Sequence, residues 1–143
     1  MAVTAGLSKE NFAAKIEFLK MTLGCSESEV SIAVSKMPQV LEFSDENIGC
    51  KIEFLINEAA MKPQYIVARP VLLTYSLKKR LVPRHYVMKV EKGLLNSNTN
   101  FFGLTKLGED TFKLKLIDSY KDSVPGLADA YAAALVGIVP STI

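Results

Sequence analysis

At 143 residues, with 49% apolar and 22% charged side chains, the chain has the composition of one globular domain with an ordinary core, which excludes a disordered polypeptide. One histidine and two cysteines exclude a zinc site of the usual four-ligand kind and leave Cys25 and Cys50 as reduced, semi-buried thiols. The net charge of +2 conceals an uneven distribution: residues 1–61 sum to −4, residues 62–92 to +7 and residues 93–143 to −1.

In chain order, Phe12, Ile16, Leu19 and Leu23 fall at steps of four, three and four, the signature of one apolar helix face. Ser8 stands where a hydroxyl caps the first turn, and Gly24 can close the helix in a left-handed conformation. Ser26 and Glu29 form a capping box ahead of Val30, Val34 and Met37, and Pro38 stops that second, shorter helix. Val40 and Leu41 belong to a 3₁₀-like connector whose leucine plugs the core. Ser44 then caps a helix carrying Ile48, Ile52, Leu55 and Ala59. Pro63 suits the first position of a short helix running towards Arg69, where Pro70 ends it, and Leu72-Leu73 form the next connector.

Ser76 opens a third unit with Leu77 and Leu81 inward. Pro83 predicts a kink or a fresh start near Arg84, and the helix continues through Val87, Met88 and Val90 to Gly93. Asn96 to Asn100 read as a polar loop, which Phe101 and Phe102 tuck down. A last periodic stretch holds Phe112, Leu116, Ile117 and Tyr120 before Pro125, and an alanine-rich segment from Leu127 to Leu135 caps the array.

These elements repeat. Ser8 to Leu19 and Ser44 to Leu55 match at eight of twelve positions with a spacing of 36, and Pro38 to Ser44 returns as Pro70 to Ser76 at a spacing of 32. Each unit is a long helix, a short helix and a proline-led turn, which buries its stripe only by stacking on neighbours. The expected architecture is all-α: a right- or left-handed solenoid forming a single domain over 1–143. Its repeats span about 8–43, 44–75 and 76–104, with a cap over about 105–143.

The basic middle stretch supplies the binding candidates: Lys62, Arg69, Lys78, Lys79, Arg80 and Arg84. Consecutive Lys78, Lys79 and Arg80 splay by about 100° each around a helix and cannot all face one groove. Arg80 and Arg84, four apart, share a face if the helix is continuous, and each guanidinium can grip a phosphate through two bonds. The bland reading is a solvated Lys-Lys-Arg face, with Arg84 capping carbonyls near Pro83. His85 has no carboxylate or nucleophile at a spacing that would make it a base. The chain holds no phosphate-cradling glycine loop, nucleophile elbow or metal cluster, so the expectation is a non-enzyme without cofactors. Its longest uncharged stretch, Ala130 to Ile143, falls short of the roughly 20 residues that span a bilayer. Residues 1–6 resemble neither a secretory signal nor a transit peptide, so any targeting segment is expected to lie outside this sequence.

The pattern Ser-x-Glu-Asn-x-x-x-Lys-Ile-Glu-Phe-Leu, then Pro-x-x-Leu-x-x-Ser, then Ser76 to Arg84, resembles the mitochondrial transcription termination factor (mTERF) family, and its plant-type members most. The resemblance covers roughly Leu7 to Tyr131, with Pro70 to Arg84 its most specific part, and leaves out Ala132 to Ile143. It implies the C-terminal repeats of a left-handed superhelix whose basic concave side holds DNA or RNA. It also implies action in mitochondria or chloroplasts in transcription termination, transcript maturation, intron splicing or ribosome assembly. Binding of organellar nucleic acid, DNA (double-stranded DNA included) or RNA, by a monomer away from membranes is the expectation, and a protein-binding adaptor whose concave face holds a peptide or partner helix is the alternative.

Overall fold

A computed structural model describes residues 9–91 and 100–137. Every regular element among them is helical, as serine caps and proline stops at these spacings require. The chain divides into two compact units, residues 1–74 and 75–143.

The first unit repeats one motif twice. Helix α1 (Lys9–Leu23) and α2 (Glu27–Lys36) lead into a 3₁₀ turn, Pro38–Glu42. Helix α3 (Asp45–Asn57) and α4 (Pro63–Ala68) lead into the second, Pro70–Thr74. The Ser26–Glu29 capping box is formed in both directions, and the Ser44 hydroxyl accepts the Asn47 amide at 3.0 Å. Ser8 lies outside the described residues. The core holds Ile16, Leu19 and Leu23 from α1, Ile48, Ile52 and Leu55 from α3, and Val40, Leu41, Leu72 and Leu73 from the two turns.

Three expectations need correction. Phe12, placed first on the α1 stripe, is 41% exposed, whereas its twin Ile48 is fully buried because α3 packs against both α1 and the second 3₁₀ turn. Helix α3 stops at Asn57, so Ala59 lies beyond it and is only half-buried. Of the two thiols, both free, Cys25 is buried but Cys50 is exposed on α3.

In the second unit, Ser76 caps a π-helical turn, Leu77–Leu81, which runs straight into α5 (Val82–Val90). An α-helix starts afresh at Val82 with Pro83 in its first turn, directly after the π turn and with no gap between them. The Val82 amide reaches back five residues to the Leu77 carbonyl, and the widened turn accommodates the proline, whose ring would otherwise clash with a carbonyl four residues back. Gly93 and residues 96–99 of the polar loop lie outside the described residues, but Asn100 caps α6 (Phe101–Lys106) through the Gly103 amide at 2.8 Å. Helix α7 (Glu109–Phe112) passes into a second π turn (Lys113–Asp118), and α8 (Leu127–Leu135) follows the left-handed Gly126. Tyr86, Val87, Phe112, Leu116, Ile117, Leu127 and Tyr131 form this unit's core.

Candidate nucleic-acid interface

The six cations singled out in the sequence meet different fates, decided by what surrounds each head group. In the first unit, Lys62 sits exposed at the N-cap of α4, and Arg69 sits half-buried at its C-cap. The Arg69 guanidinium lies 3.7 Å over the Tyr65 ring and donates to the Tyr65 carbonyl at 3.4 Å. In the second unit, Lys78 and Lys79 are exposed, and neither ammonium is ion-paired with a described residue. Arg80 is half-buried: Nη1 donates to the Thr105 carbonyl at 3.0 Å while the guanidinium lies 5.0 Å from the Tyr75 ring centre.

Arg84 is removed from the phosphate-binding set. It is 1% exposed, and its Nη1 donates to the carbonyls of Leu104 at 2.8 Å and Leu107 at 2.6 Å, with Thr105 at 3.4 Å. Those carbonyls close the C-terminal end of α6, where a helix leaves acceptors unpaired and concentrates negative potential. Nη2 pairs with Glu109 at 3.4 Å, and the Tyr131 hydroxyl donates to both Glu109 oxygens at 3.0 Å. Burial, and then the Arg80 charge, hold the Arg84 pKa below its ordinary value, against the opposing pull of Tyr131 and Glu109. Burial, reinforced by the hydrogen bond to Glu109, pushes the Tyr131 phenol up to about 12. Arg80 and Arg84 do converge, as their spacing predicts, but on a helix end and not on an open groove.

Two further inward-turned cations, Lys15 half-buried and Lys51 buried, escaped the sequence reading. Lys15 donates to the Phe43 carbonyl at 2.8 Å and pairs with Asp45 at 2.6 Å. Its twin Lys51, 1% exposed, donates to the Leu73 carbonyl at 2.9 Å and lies 3.7 Å over the Phe43 ring, with burial lowering its pKa. Each lysine stands seven residues after its unit's serine, Ser8 or Ser44, whereas Arg84 stands eight after Ser76. The π turn accounts for the additional residue, because it spends five residues where an α turn spends four. One internal cation per unit thus ties a long helix to the carbonyls of the following short helix or turn. Recurrence of lysine in both copies was the available signal.

Glu91, the one acid between residues 62 and 92, is fully buried at the end of α5 with neither carboxylate oxygen hydrogen-bonded. Burial raises its pKa from 4.5 to about 7. The exposed lysines of residues 62–92 therefore face solvent with the one acid of that stretch withdrawn from the surface. His85 packs edge-on against Phe101, ring centres 5.3 Å apart. No described helix is long and apolar enough to cross a membrane.

A protein-family model described as mTERF matches residues 1–110. No curated protein and no solved structure matches the chain. The family match runs from the first repeat to the opening turn of α7, so α8 lies beyond it.

Proposed function

Because the chain belongs to the mTERF family, we propose that it is a non-catalytic, nucleic-acid-binding helical-repeat protein that regulates gene expression in mitochondria or chloroplasts. The observation that carries this reading is the state of the basic stretch. Lys62, Lys78, Lys79 and Lys89 are exposed without an ion-pair partner among the described residues, while Glu91 is buried. Unpaired ammonium groups of this kind neutralise phosphates and release condensed counterions, giving affinity without base contacts. Arg80 and Arg69 are secondary contacts, since each must leave a carbonyl and a ring face to reach phosphate. Phosphate contacts carry no sequence information by themselves, so transcription termination, splicing and transcript maturation are all compatible with this reading.

The test is a salt titration of binding to duplex DNA, single-stranded RNA and a structured intron RNA. Lys78→Ala/Lys79→Ala is expected to flatten the plot of log K against log salt by about 2, about 1 for each lost phosphate contact. Arg84→Ala should leave that slope alone and lower the melting temperature instead. Equal slopes for wild type and the double-lysine variant would remove both lysines from the footprint.

A further inference from the structure

A groove of about 490 Å³ opens in the second unit between Lys78, Lys79 and Val82 on one wall and the end of α8, Ala134 to Gly137, on the other. Its volume is that of a ligand site, but Val136 is 76% exposed, so the groove is an open trough that would not enclose a small molecule on most sides. Among the described residues the lining carries no aromatic ring, so none of them offers nucleotide bases a stacking face. Its chemistry is divided: an apolar floor from Val82, Leu135 and Val136, and a rim of two ammonium groups without ion-pair partners among the described residues. Charge complementarity calls for carboxylates at the rim, and the floor calls for aliphatic side chains. A nucleic acid would satisfy the first demand and leave the second unmet. One wall of the groove, Ala134 to Gly137, also lies beyond the residues that the family model matches, 1–110.

We infer that this trough docks a short acidic and aliphatic peptide segment of another protein, leucine-like side chains lying on Val82 and Val136 and carboxylates pairing with Lys78 and Lys79. The inference goes beyond the nucleic-acid reading and does not rest on it. The two lysines serve both partners, so peptide and phosphate backbone compete for them, whereas Val136 serves the peptide alone.

The experiment is fluorescence polarisation of the full chain with a dye-labelled peptide of two leucines flanked on each side by two aspartates. Saturable binding is expected, weakened at least about tenfold by Lys78→Glu/Lys79→Glu and by Val136→Asp, and abolished when the peptide's aspartates are replaced by lysines. Val136→Ser, at an exposed position and adding no charge beside Lys78 and Lys79, should likewise weaken peptide binding while leaving the melting temperature and the affinity for a duplex oligonucleotide unchanged. The peptide swap, made on unaltered protein, keeps the test decisive if a variant loses its fold. Absence of saturation at about 1 mM peptide, where only about −4 kcal/mol of binding is being asked for, would overturn the inference, as would peptide binding indifferent to Val136→Asp. Duplex affinity falling in parallel at the uncharged Val136→Ser would reassign the trough to nucleic acid and overturn it too. A dimer by sedimentation that Val136→Asp dissolves would hand it to a second copy, with the same consequence. If the wild type binds peptide but no nucleic acid, the proposed function fails and the docking site stands.

Discussion

Lys78 and Arg84 are six residues apart and chemically alike, yet one is solvated and the other is 1% exposed inside a ring of carbonyls. The sequence shows a dense basic stretch and permits either fate for each member. What it cannot show is phase: the π turn at Leu77–Leu81 rotates everything after it by one residue relative to the first two repeats. That rotation sends Arg84 inward, to the place Lys15 and Lys51 hold in the earlier copies. Without Arg84 the Thr105 carbonyl keeps Arg80 and the Leu104 carbonyl keeps the Leu107 amide. The Leu107 carbonyl loses its donor, at a cost of about 1–3 kcal/mol, so Arg84→Ala is a stability variant before it is anything else. Glu91 carries a sharper expectation. Its folded-state pKa, about 7, lies above the unfolded value of 4.5 because burial penalises the charged form. The stabilising contribution of this carboxyl is therefore complete below about pH 4.5 and is lost as pH rises through 7. A shift of that size is worth up to about 3 kcal/mol. Glu91→Gln should accordingly stabilise the protein by up to that amount at pH 8 and change little at pH 4. Urea unfolding at the two pH values checks it, and an effect equal at both would mean that Glu91 ionises freely in the fold.

At the level of the helix and the turn, most of the architecture was legible because the punctuation is local. Ser26, Ser44 and Ser76 each accept an amide three residues on, and Pro38, Pro63 and Pro70 sit at the starts of helical segments. What escaped is decided between elements. Phe12 obeys the helical period yet stays 41% exposed, whereas Ile48 is fully buried; Pro83 reads as a break, but a wider turn absorbs it. A comparison of the two copies yields a further prediction. Gly24 and Ala60 each stand sixteen residues after their unit's serine, and both adopt left-handed backbone, with φ of 69° and 56°. Glycine takes that conformation without penalty, whereas a Cβ there costs roughly 1–2 kcal/mol. No atom would meet a Cβ built on Gly24, so backbone strain alone sets the effect of substitution. Ala60→Gly is expected to stabilise the protein by up to about 1 kcal/mol, part of the relief being returned to the more flexible unfolded chain. Gly24→Ala should destabilise it by a similar amount. Thermal unfolding of both variants measures the pair, and shifts of the same sign would show that the two turns are not equivalent.

For the molecule as a whole, a net charge of +2 is too small to draw a polyanion over long distances through its overall field, so affinity must come from cations that meet phosphates directly. Four lysines of the basic stretch are exposed and unpaired among the described residues: Lys62, Lys78, Lys79 and Lys89. If each neutralises one phosphate of duplex DNA, the slope of log K against log salt approaches about −3.6. A rise from 50 to 200 mM salt should then weaken binding by about 10²-fold, or roughly 3 kcal/mol. Through linkage, the same ligand raises the melting temperature at low salt by an amount set by its concentration relative to Kd, and the rise should fade as salt is added. A slope shallower than about −1 would mean that the exposed lysines are solvated and that contact depends on other groups. A slope steeper than about −5 would require more cations than the exposed lysines provide, with Arg69 and Arg80 leaving their carbonyls and rings to join them. The two arginines would then report their release directly: Arg80→Lys, which keeps the charge but cannot span the Tyr75 ring and the Thr105 carbonyl in the same way, should change the slope in the second case and leave it unaltered in the first.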